Sequence, residues 1–239
     1  MNYLWPISIT AGVIVIFVLY LIFRKPKEVA EDPNALNRAR DAMDEDQIAL
    51  DEYSNRELSS VELGTRYERY IGHLYEMNGF EVEYHGATNE LEDLGRDLIV
   101  KKGKEILIVQ TKCWAKKRSI REKHIFQLYG SMVHFRRTSK AKSLTTKAVI
   151  YTSYSSYSGR AIEVSQDLGV ELKTEKLDNS YPKVKCKISD NGEKAYHLPF
   201  EPGYDELSID PSKGEFFAHS VLDAFEKGHR RPEKSESAA

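Results

Sequence analysis

The stretch GRDLIVKKGKEILIVQTKCW, residues 95 to 114, decides the fold. Its two apolar runs, 96 to 101 and 105 to 112, are rich in Leu, Ile and Val and predict two strands. The intervening Lys102-Gly103 suits a two-residue hairpin loop, because glycine accepts a positive φ. Both runs are apolar on both faces, which predicts a central strand pair that is covered on each side.

Three polar side chains share one face of this predicted hairpin. Pairing across the turn places Asp97 opposite Ile108. Because side chains alternate along a strand, Asp97, Gln110 and Lys112 then project from the same face. Polar groups at covered positions are costly unless they are paired or used, so the pattern indicates a functional site. For the hairpin alone, a turn-capping Asp97 and a solvated Lys112 is the alternative interpretation.

The chemistry that fits these residues is metal-assisted hydrolysis of a phosphodiester bond. Asp97 can ligate Mg²⁺, which prefers hard oxygen ligands, and Gln110 can offer its amide oxygen to the same ion. Lys112 can orient the attacking water, help to deprotonate it, or neutralise charge on the phosphorane.

This arrangement resembles the PD-(D/E)xK nuclease superfamily, and within it the Mrr-type restriction endonuclease branch, which often carries Gln where other members carry Glu or Asp. The resemblance covers about residues 59 to 178. It rests on Asp97 and Gln110-Thr111-Lys112, GTRYERYIGHLYEMNGFEVE (64 to 83), IFQLYGSM (125 to 132) and VIYTSYSSYSGRAIEVSQDLGVEL (149 to 172). It implies a restriction-endonuclease-like fold, double-stranded DNA as the partner, and Mg²⁺ as the cofactor, with Mn²⁺ as a substitute.

A helix on the amino side supplies a fourth candidate residue. Residues 60 to 78 have apolar residues at helical spacing, with Ser60 as a predicted cap. In related nucleases a helix glutamate reaches the metal, and Glu68 matches that position by resemblance. An exposed Glu68 that pairs with a neighbour is the alternative. The predicted catalytic set is Asp97, Gln110, Lys112 and Glu68, with Asp97, Gln110 and Glu68 as metal ligands.

The segments after the hairpin complete an α/β domain. They are a helix at 122 to 139, a strand at 146 to 152, a helix at 157 to 168 that ends at Gly169, and a strand at 170 to 172. The order α-β-β-β-α-β-α-β predicts a mixed sheet flanked by helices, as in the restriction-endonuclease-like fold.

Charge is distributed unevenly along the chain, although the net charge is only −2. Residues 27 to 57 hold ten Asp and Glu against four Lys and Arg, whereas residues 101 to 147 hold fourteen Lys and Arg against two Glu. A basic block beside the predicted site is typical of a nucleic-acid-binding surface, and a merely solvated surface is the alternative. The predicted DNA-binding residues are Lys116, Lys117, Arg118, Arg121, Arg136 and Arg137.

The amino terminus predicts a membrane anchor. Residues 4 to 23 are uncharged and mostly apolar, which matches the ~20 residues that cross a bilayer. Arg24, Lys25 and Lys27 follow, so the positive-inside rule places the rest of the chain in the cytoplasm. We therefore expect a single-pass protein of the inner (cytoplasmic) membrane of a bacterium. Residues 24 to 58 are predicted to be an exposed, partly helical acidic spacer.

The carboxyl-terminal part predicts a small α+β module. Residues 183 to 231 contain a hairpin around Asn191-Gly192 and then a predicted helix in GEFFAHSVLDAFEKGHRRP. This part resembles a small module appended to bacterial nuclease-like proteins, sometimes called a sunset domain. Residues 232 to 239 are predicted to be a disordered tail.

The resulting hypothesis is a membrane-anchored, Mg²⁺-dependent DNA endonuclease that acts in restriction of foreign DNA or in DNA repair, with a homodimer as a possible assembly. The alternative is a catalytically inactive DNA-binding or tethering membrane protein, because the neutral amide of Gln110 binds Mg²⁺ more weakly than a carboxylate does. A third hypothesis is an envelope interaction protein that works through its carboxyl-terminal module.

Overall fold

The computed structural model describes residues 34–85, 94–114, 118–139 and 144–232. A mixed sheet of five strands in the order β1-β2-β3-β4-β5 lies at its centre. These strands are β1 (Glu81–Tyr84), β2 (Leu98–Lys102), β3 (Glu105–Lys112), β4 (Thr145–Thr152) and β5 (Val170–Thr174). β1, β2 and β3 pair antiparallel, whereas β4 pairs parallel to both β3 and β5.

Helices flank this sheet in the predicted chain order. The helices of the described chain are α1 (Ala35–Asn55), α2 (Ser60–Met77), α3 (Glu122–Thr138), α4 (Gly159–Leu168) and α5 (Val221–Glu226). From α2 to β5 the order is α-β-β-β-α-β-α-β, so the prediction of a mixed α/β domain is confirmed.

The central hairpin has a register two residues away from the predicted one. Lys102 faces Glu105, so the loop is Gly103-Lys104, and Gly103 has a φ of 58°. The predicted pairing was therefore wrong. Because the side-chain period of a strand is two, a shift of two residues leaves every side chain on its predicted face.

The two faces of the hairpin bury different helices. On one face, Leu98, Val100, Leu107 and Val109 pack in a core cluster that includes residues of α2. On the other face, Ile99, Ile106 and Ile108 pack against helices α3 and α4. The helix residues in this cluster include Ile125, Leu128, Ala161 and Val164. The predicted central, covered position of the hairpin is confirmed.

The N-cap of helix α2 lies one residue before the cap that the sequence predicts. Ser59 is the N-cap, since its side chain accepts the backbone N–H of Glu62 and the Glu62 carboxylate accepts the backbone N–H of Ser59. This capping box requires Glu three residues after Ser, a spacing that Ser59 satisfies and Ser60 does not. The cap fixes where the helix begins and therefore which residues face the sheet.

The carboxyl-terminal module has a second sheet of three antiparallel strands in the order β7-β6-β8. They are β6 (Val184–Ile188), β7 (Lys194–His197) and β8 (Phe216–Ala218), and β6 and β7 form the predicted hairpin. The helix predicted over residues 214 to 232 was wrong in its first part, because 216–218 pair with β6. Helix α5 begins only after Ser220, whose side chain accepts the backbone N–H of Asp223.

From residue 42 onward, helix α1 packs into the core of this module. Met43 and Leu50 are buried in one cluster with side chains of β6, β7 and α5. Tyr196 donates its hydroxyl to Asp46 (2.7 Å), and the Val221 amide donates to the Gln47 side chain (2.8 Å). The exposed spacer predicted for residues 24 to 58 therefore differs from the structure at 42–55. A thin apolar stripe suffices there because a partner more than 130 residues away covers it.

A buried polar network joins the module to α2 and β1. Glu76 of α2 is fully buried, and its carboxylate accepts from the Ile209 amide (3.1 Å) and the Tyr84 hydroxyl (3.2 Å). Lys185 of β6 is 1% exposed and donates to the backbone oxygens of Tyr204 (3.1 Å) and Leu207 (2.5 Å). Lys185 Nζ also lies 4.7 Å from the centre of the Tyr84 ring of β1, so buried charges contribute to the contact between the module and the domain.

The membrane prediction falls outside the part of the chain that the structure covers. Residues 4 to 23, the first ten residues of the predicted spacer (24 to 33) and residues 233 to 239 of the predicted tail all lie outside the described ranges. Among the helices that are described, none combines the length and the apolar composition needed to cross a bilayer.

Candidate active site

Asp97 lies at the entry to β2, where the backbone of β3 holds its carboxylate. Its amide donates to the Val109 carbonyl (2.8 Å), which continues the hairpin ladder and places Asp97 across from Gln110. Its Oδ2 accepts from the Thr111 amide (2.6 Å) and the Thr111 hydroxyl (3.1 Å), and the residue is 5% exposed. Two donors thus fix this carboxylate, so its position is set by the sheet.

Gln110 presents a buried acceptor that has no donor. Its Nε2 donates to the Gly95 carbonyl (2.7 Å), which fixes the orientation of the amide because the opposite orientation would set two oxygens against each other. The other end of the amide, Oε1, is buried and has no hydrogen-bond partner. A buried acceptor without a partner costs about 1–3 kcal/mol, so this atom is suited to a ligand that approaches it.

The carbonyl that orients Gln110 depends on a glycine. Gly95 has a φ of 76°, which residues with a side chain rarely adopt. A Cβ at this position would also lie 2.5 Å from the Gln127 amide nitrogen. The turn before β2 therefore needs glycine, and through it the sequence fixes the Gln110 side chain.

Glu68 faces the same site from helix α2. Burial, followed by the negative charge of Asp97, raises the pKa of Glu68 to about 8, and the positive charge of Lys112 opposes this rise. The structure thus places Glu68 within electrostatic range of both residues. The alternative of an exposed Glu68 does not describe this half-buried side chain.

Lys112 ends β3 and contributes the positive charge of the site. Its carbonyl accepts from the Ser153 amide (3.2 Å), which ties the strand end to β4. Its ammonium lowers the pKa of Glu68, and it also contributes to the lowering of the His124 pKa, although burial is the main cause for His124. Within the described part of the chain its side chain forms no ion pair, so the ammonium is available to a phosphate.

The side chains of Asp97, Gln110 and Glu68 suit a metal ion that prefers oxygen ligands. Across the residues that are described, no group of three or more His, Cys, Asp or Glu side chains is placed to hold an ion. The predicted set contains only two carboxylates, and its third member is an amide. The unpartnered Oε1 of Gln110 beside the fixed carboxylate of Asp97 fits a hard cation such as Mg²⁺. Asp97, Gln110 and Glu68 would hold it.

The predicted DNA-binding residues do not form one cluster. Lys116 and Lys117 lie outside the described residues. Arg118 and Arg121 line a pocket of about 390 Å³ just after β3, together with Trp114, Ser119, Lys123 and His124. Arg136 and Arg137 lie in the last turn of α3, at the other end of a helix that starts at Glu122. At about 1.5 Å per residue, that end is roughly 20 Å further along the helix.

Two residues of the site neighbourhood were missed from the sequence. Thr111 supplies two hydrogen-bond donors to the Asp97 carboxylate. The signal that could have identified Thr111 is its position between Gln110 and Lys112 in the sequence. His124 contacts the Trp114 ring, with centroids 5.2 Å apart, and no local pattern marks it because the contact depends on how α3 packs.

One comparison with known proteins found a protein family that matches part of this chain. Residues 61–177 match the Mrr catalytic-domain family, described as restriction endonuclease. No curated protein matches the chain.

Three solved structures are similar at low identity. A crystal structure of a protein of unknown function, AF1548, is 18% identical over 48% of this chain and 60% of that one, with a TM-score of 0.35. The EndoMS–double-stranded DNA complex is 12% identical over 51% and 47%, with a TM-score of 0.36. The restriction endonuclease MspJI with a 27-mer oligonucleotide is 14% identical over 73% and 33%, with a TM-score of 0.33. The chain thus spans 60% or less of each of these structures.

The family match covers almost the same residues as the resemblance seen in the sequence, 59 to 178. In the structure, these residues form a mixed sheet with helices on both faces, which is the fold that the resemblance implied. Residues 61–177 are therefore similar to the Mrr catalytic-domain family, described as restriction endonuclease.

Proposed function

We propose that this protein is a divalent-metal-dependent endonuclease that hydrolyses phosphodiester bonds of double-stranded DNA, in restriction of foreign DNA or in DNA repair. The observation that carries the proposal is the buried, unpartnered Oε1 of Gln110 beside the fixed carboxylate of Asp97. The family match over residues 61–177 supports DNA cleavage as the reaction class.

Each residue of the site has a separate task in this proposal. A bound divalent ion supplies Lewis acidity at the phosphate and offsets its negative charge. Lys112 binds a phosphate oxygen and stabilises the charge that develops on it. Glu68, whose pKa is raised to about 8 in the metal-free protein, would lose its proton and hold the ion as a carboxylate. Thr111 holds the Asp97 carboxylate in one orientation.

The second candidate function is DNA binding without cleavage, and the neutral amide of Gln110 favours it. Replacement of Gln110 with glutamate separates the two. The added charge should tighten Mg²⁺ binding, and cleavage should survive or rise, because Oε1 still faces the ion even though the second carboxylate oxygen replaces the Nε2 that donates to the Gly95 carbonyl. Lys112→Ala should abolish cleavage and leave metal affinity largely intact. Lys112→Arg should not restore cleavage, since a planar guanidinium does not replace a compact ammonium.

The measurement is nicking of supercoiled plasmid by the full chain in detergent, with Mg²⁺, Mn²⁺ or chelator, on methylated and unmethylated DNA. Cleavage that persists in chelator would contradict the metal requirement. A wild type that binds DNA but cuts no substrate with either metal would favour the binding-only function.

The site also predicts a pH dependence of metal binding. A proton occupies Glu68 below pH 8 in the metal-free protein, so the ion must displace it there. We expect Mn²⁺ affinity, measured by calorimetry without DNA, to rise roughly tenfold per pH unit from pH 6 to pH 8 and to level off above. Glu68→Gln removes the titrating group and should flatten the profile. Parallel profiles for the two proteins would remove Glu68 from the metal site.

We further propose that residues 4 to 23 anchor the protein in the inner membrane, with the nuclease domain in the cytoplasm. The support is the uncharged apolar run and the basic residues Arg24, Lys25 and Lys27 that follow it. Carbonate extraction of membranes, combined with protease added outside intact cells, tests both parts. Release by carbonate would contradict the anchor, and digestion from outside would contradict the orientation.

A further inference from the structure

Trp114 lies between two pockets, only two residues after Lys112. The first is the basic pocket described above, of about 390 Å³. The second, of about 470 Å³, has mostly apolar walls that α2 and the end of β3 supply: Ser60, Val61, Leu63, Cys113, Trp114 and Arg118. Trp114 and Arg118 line both pockets, so the two adjoin.

The basic pocket carries cations that the protein leaves uncompensated. Within the described ranges, none of Arg118, Arg121 and Lys123 forms an ion pair with a carboxylate. Their backbone is fixed, because Ile120 between them is fully buried and its amide donates to the Ser156 carbonyl (2.9 Å). A group of cations without carboxylate partners complements a phosphate.

The apolar pocket complements a flat, uncharged group. Trp114 is half-buried and faces it, and Val61 leaves 68% of its surface exposed there. Aromatic side chains of this kind stack on unpaired nucleobases, whose faces are hidden inside a paired duplex. An apolar pocket next to a basic pocket therefore complements the two parts of one nucleotide, its base and its phosphate.

We infer that Trp114 and Arg118 hold one unstacked nucleotide of the bound DNA, with its base in the apolar pocket and its phosphate in the basic pocket. This inference rests on the proposed function and names its substrate class, which is DNA with an unpaired nucleotide near the scissile phosphate. The position of Trp114 two residues after Lys112 sets the nucleotide close to the proposed active site.

The test uses three labelled duplexes of one sequence: fully paired, with one extra unpaired nucleotide, and with one extra abasic residue. Binding of the full chain in detergent is measured by fluorescence anisotropy with chelator at fixed salt. We expect the wild type to bind the nucleotide bulge about tenfold more tightly than the paired duplex, and the abasic bulge nearly like the paired duplex.

Substitutions assign this preference to the pocket. Trp114→Ala should remove the preference and change the affinity for paired DNA less than about twofold. Phe126→Ala is the matched control, because Phe126 is an aromatic residue of α3, 54% exposed, that lines neither pocket. It should leave all three affinities unchanged.

A second measurement does not depend on the folding of the alanine variant. The chain has two tryptophans, so Trp5→Phe leaves Trp114 as the sole tryptophan reporter. The nucleotide bulge should quench its emission and the abasic bulge should not. Equal quenching by both bulges, equal affinity for both, or a preference that survives Trp114→Ala would overturn the inference.

These experiments contain no metal and so do not depend on cleavage. A bulge preference in a protein that cuts neither the plasmid nor the bulged duplex with Mg²⁺ or Mn²⁺ would sink the proposed function alone. Metal-dependent cleavage without any bulge preference would sink this inference alone.

Discussion

We expect replacement of Asp97 with asparagine to abolish the proposed cleavage and to leave the affinity for DNA nearly unchanged. Asparagine keeps an oxygen that accepts from the Thr111 amide and hydroxyl, so the sheet is undisturbed, and only the charge is removed. The loss should exceed the roughly 10- to 100-fold that the loss of an outer-shell partner costs a metal site. Plasmid nicking and DNA anisotropy, with Mg²⁺ titrated in each, measure the two effects.

Asp97→Ala should be equally inactive but also less stable. Without the carboxylate, the Thr111 amide is left buried and without an acceptor, which costs about 1–3 kcal/mol of the free energy of unfolding. The comparison of the two variants therefore separates chemistry from folding. Cleavage at the wild-type rate by both variants is the outcome that would rule out Asp97 as the main ligand.

Glu76→Ala should unfold the domain and the module together at a markedly lower temperature. It leaves the buried Ile209 amide and Tyr84 hydroxyl without their acceptor, and it removes a negative charge that opposes the lowering of the Lys185 pKa to about 8 by burial. Each buried group left without a partner costs about 1–3 kcal/mol, which for a unit of this size is together a drop in Tm of the order of 10 °C. Thermal unfolding of the full chain followed by circular dichroism measures the change.

A double variant distinguishes the effect on stability of removing both charges from the effect of removing the Glu76 charge alone. Glu76→Leu combined with Lys185→Met removes both charges and should recover much of the stability that Glu76→Leu alone loses. Glu76→Gln serves as the matched control, since it keeps the hydrogen bonds to Ile209 and Tyr84 in number. Two separate transitions in the single variant, one of them at the wild-type temperature, would show that the network does not couple the two parts.

The two strands of the central hairpin, and the face on which each side chain lies, were predictable because their signals are local. Alternation of side chains along a strand has a period of two, and this placed Gln110 and Lys112 on one face even though the predicted register was wrong by two residues. The loop position itself was ambiguous, because Gly103 can occupy either place in a two-residue turn that is flanked by lysines. Local pattern thus fixed the faces but could not fix the pairing.

The contacts that attach the module could not be predicted, because they join segments far apart in sequence. Glu76 reads as an ordinary surface residue of a helix, and only its contact with Ile209, 133 residues later, explains its burial. The same holds for Asp46, which lies in an acidic run and yet accepts from Tyr196. A charged residue carries no local mark that says whether a partner from elsewhere will cover it.

The packing of helix α1 against the module has a consequence for inheritance. Segments 42–55 and 183–231 share one core, and the Arg231 guanidinium at the far end pairs with Asp46 of α1 and with Glu201 (2.9 Å). The module is therefore a discontinuous domain, and the nuclease domain is an insert within it. A recombination event that transferred only the carboxyl-terminal coding segment would leave out segment 42–55, which forms part of the core of the module. Exchange of the nuclease domain between such genes requires two crossovers, one on each side of the insert.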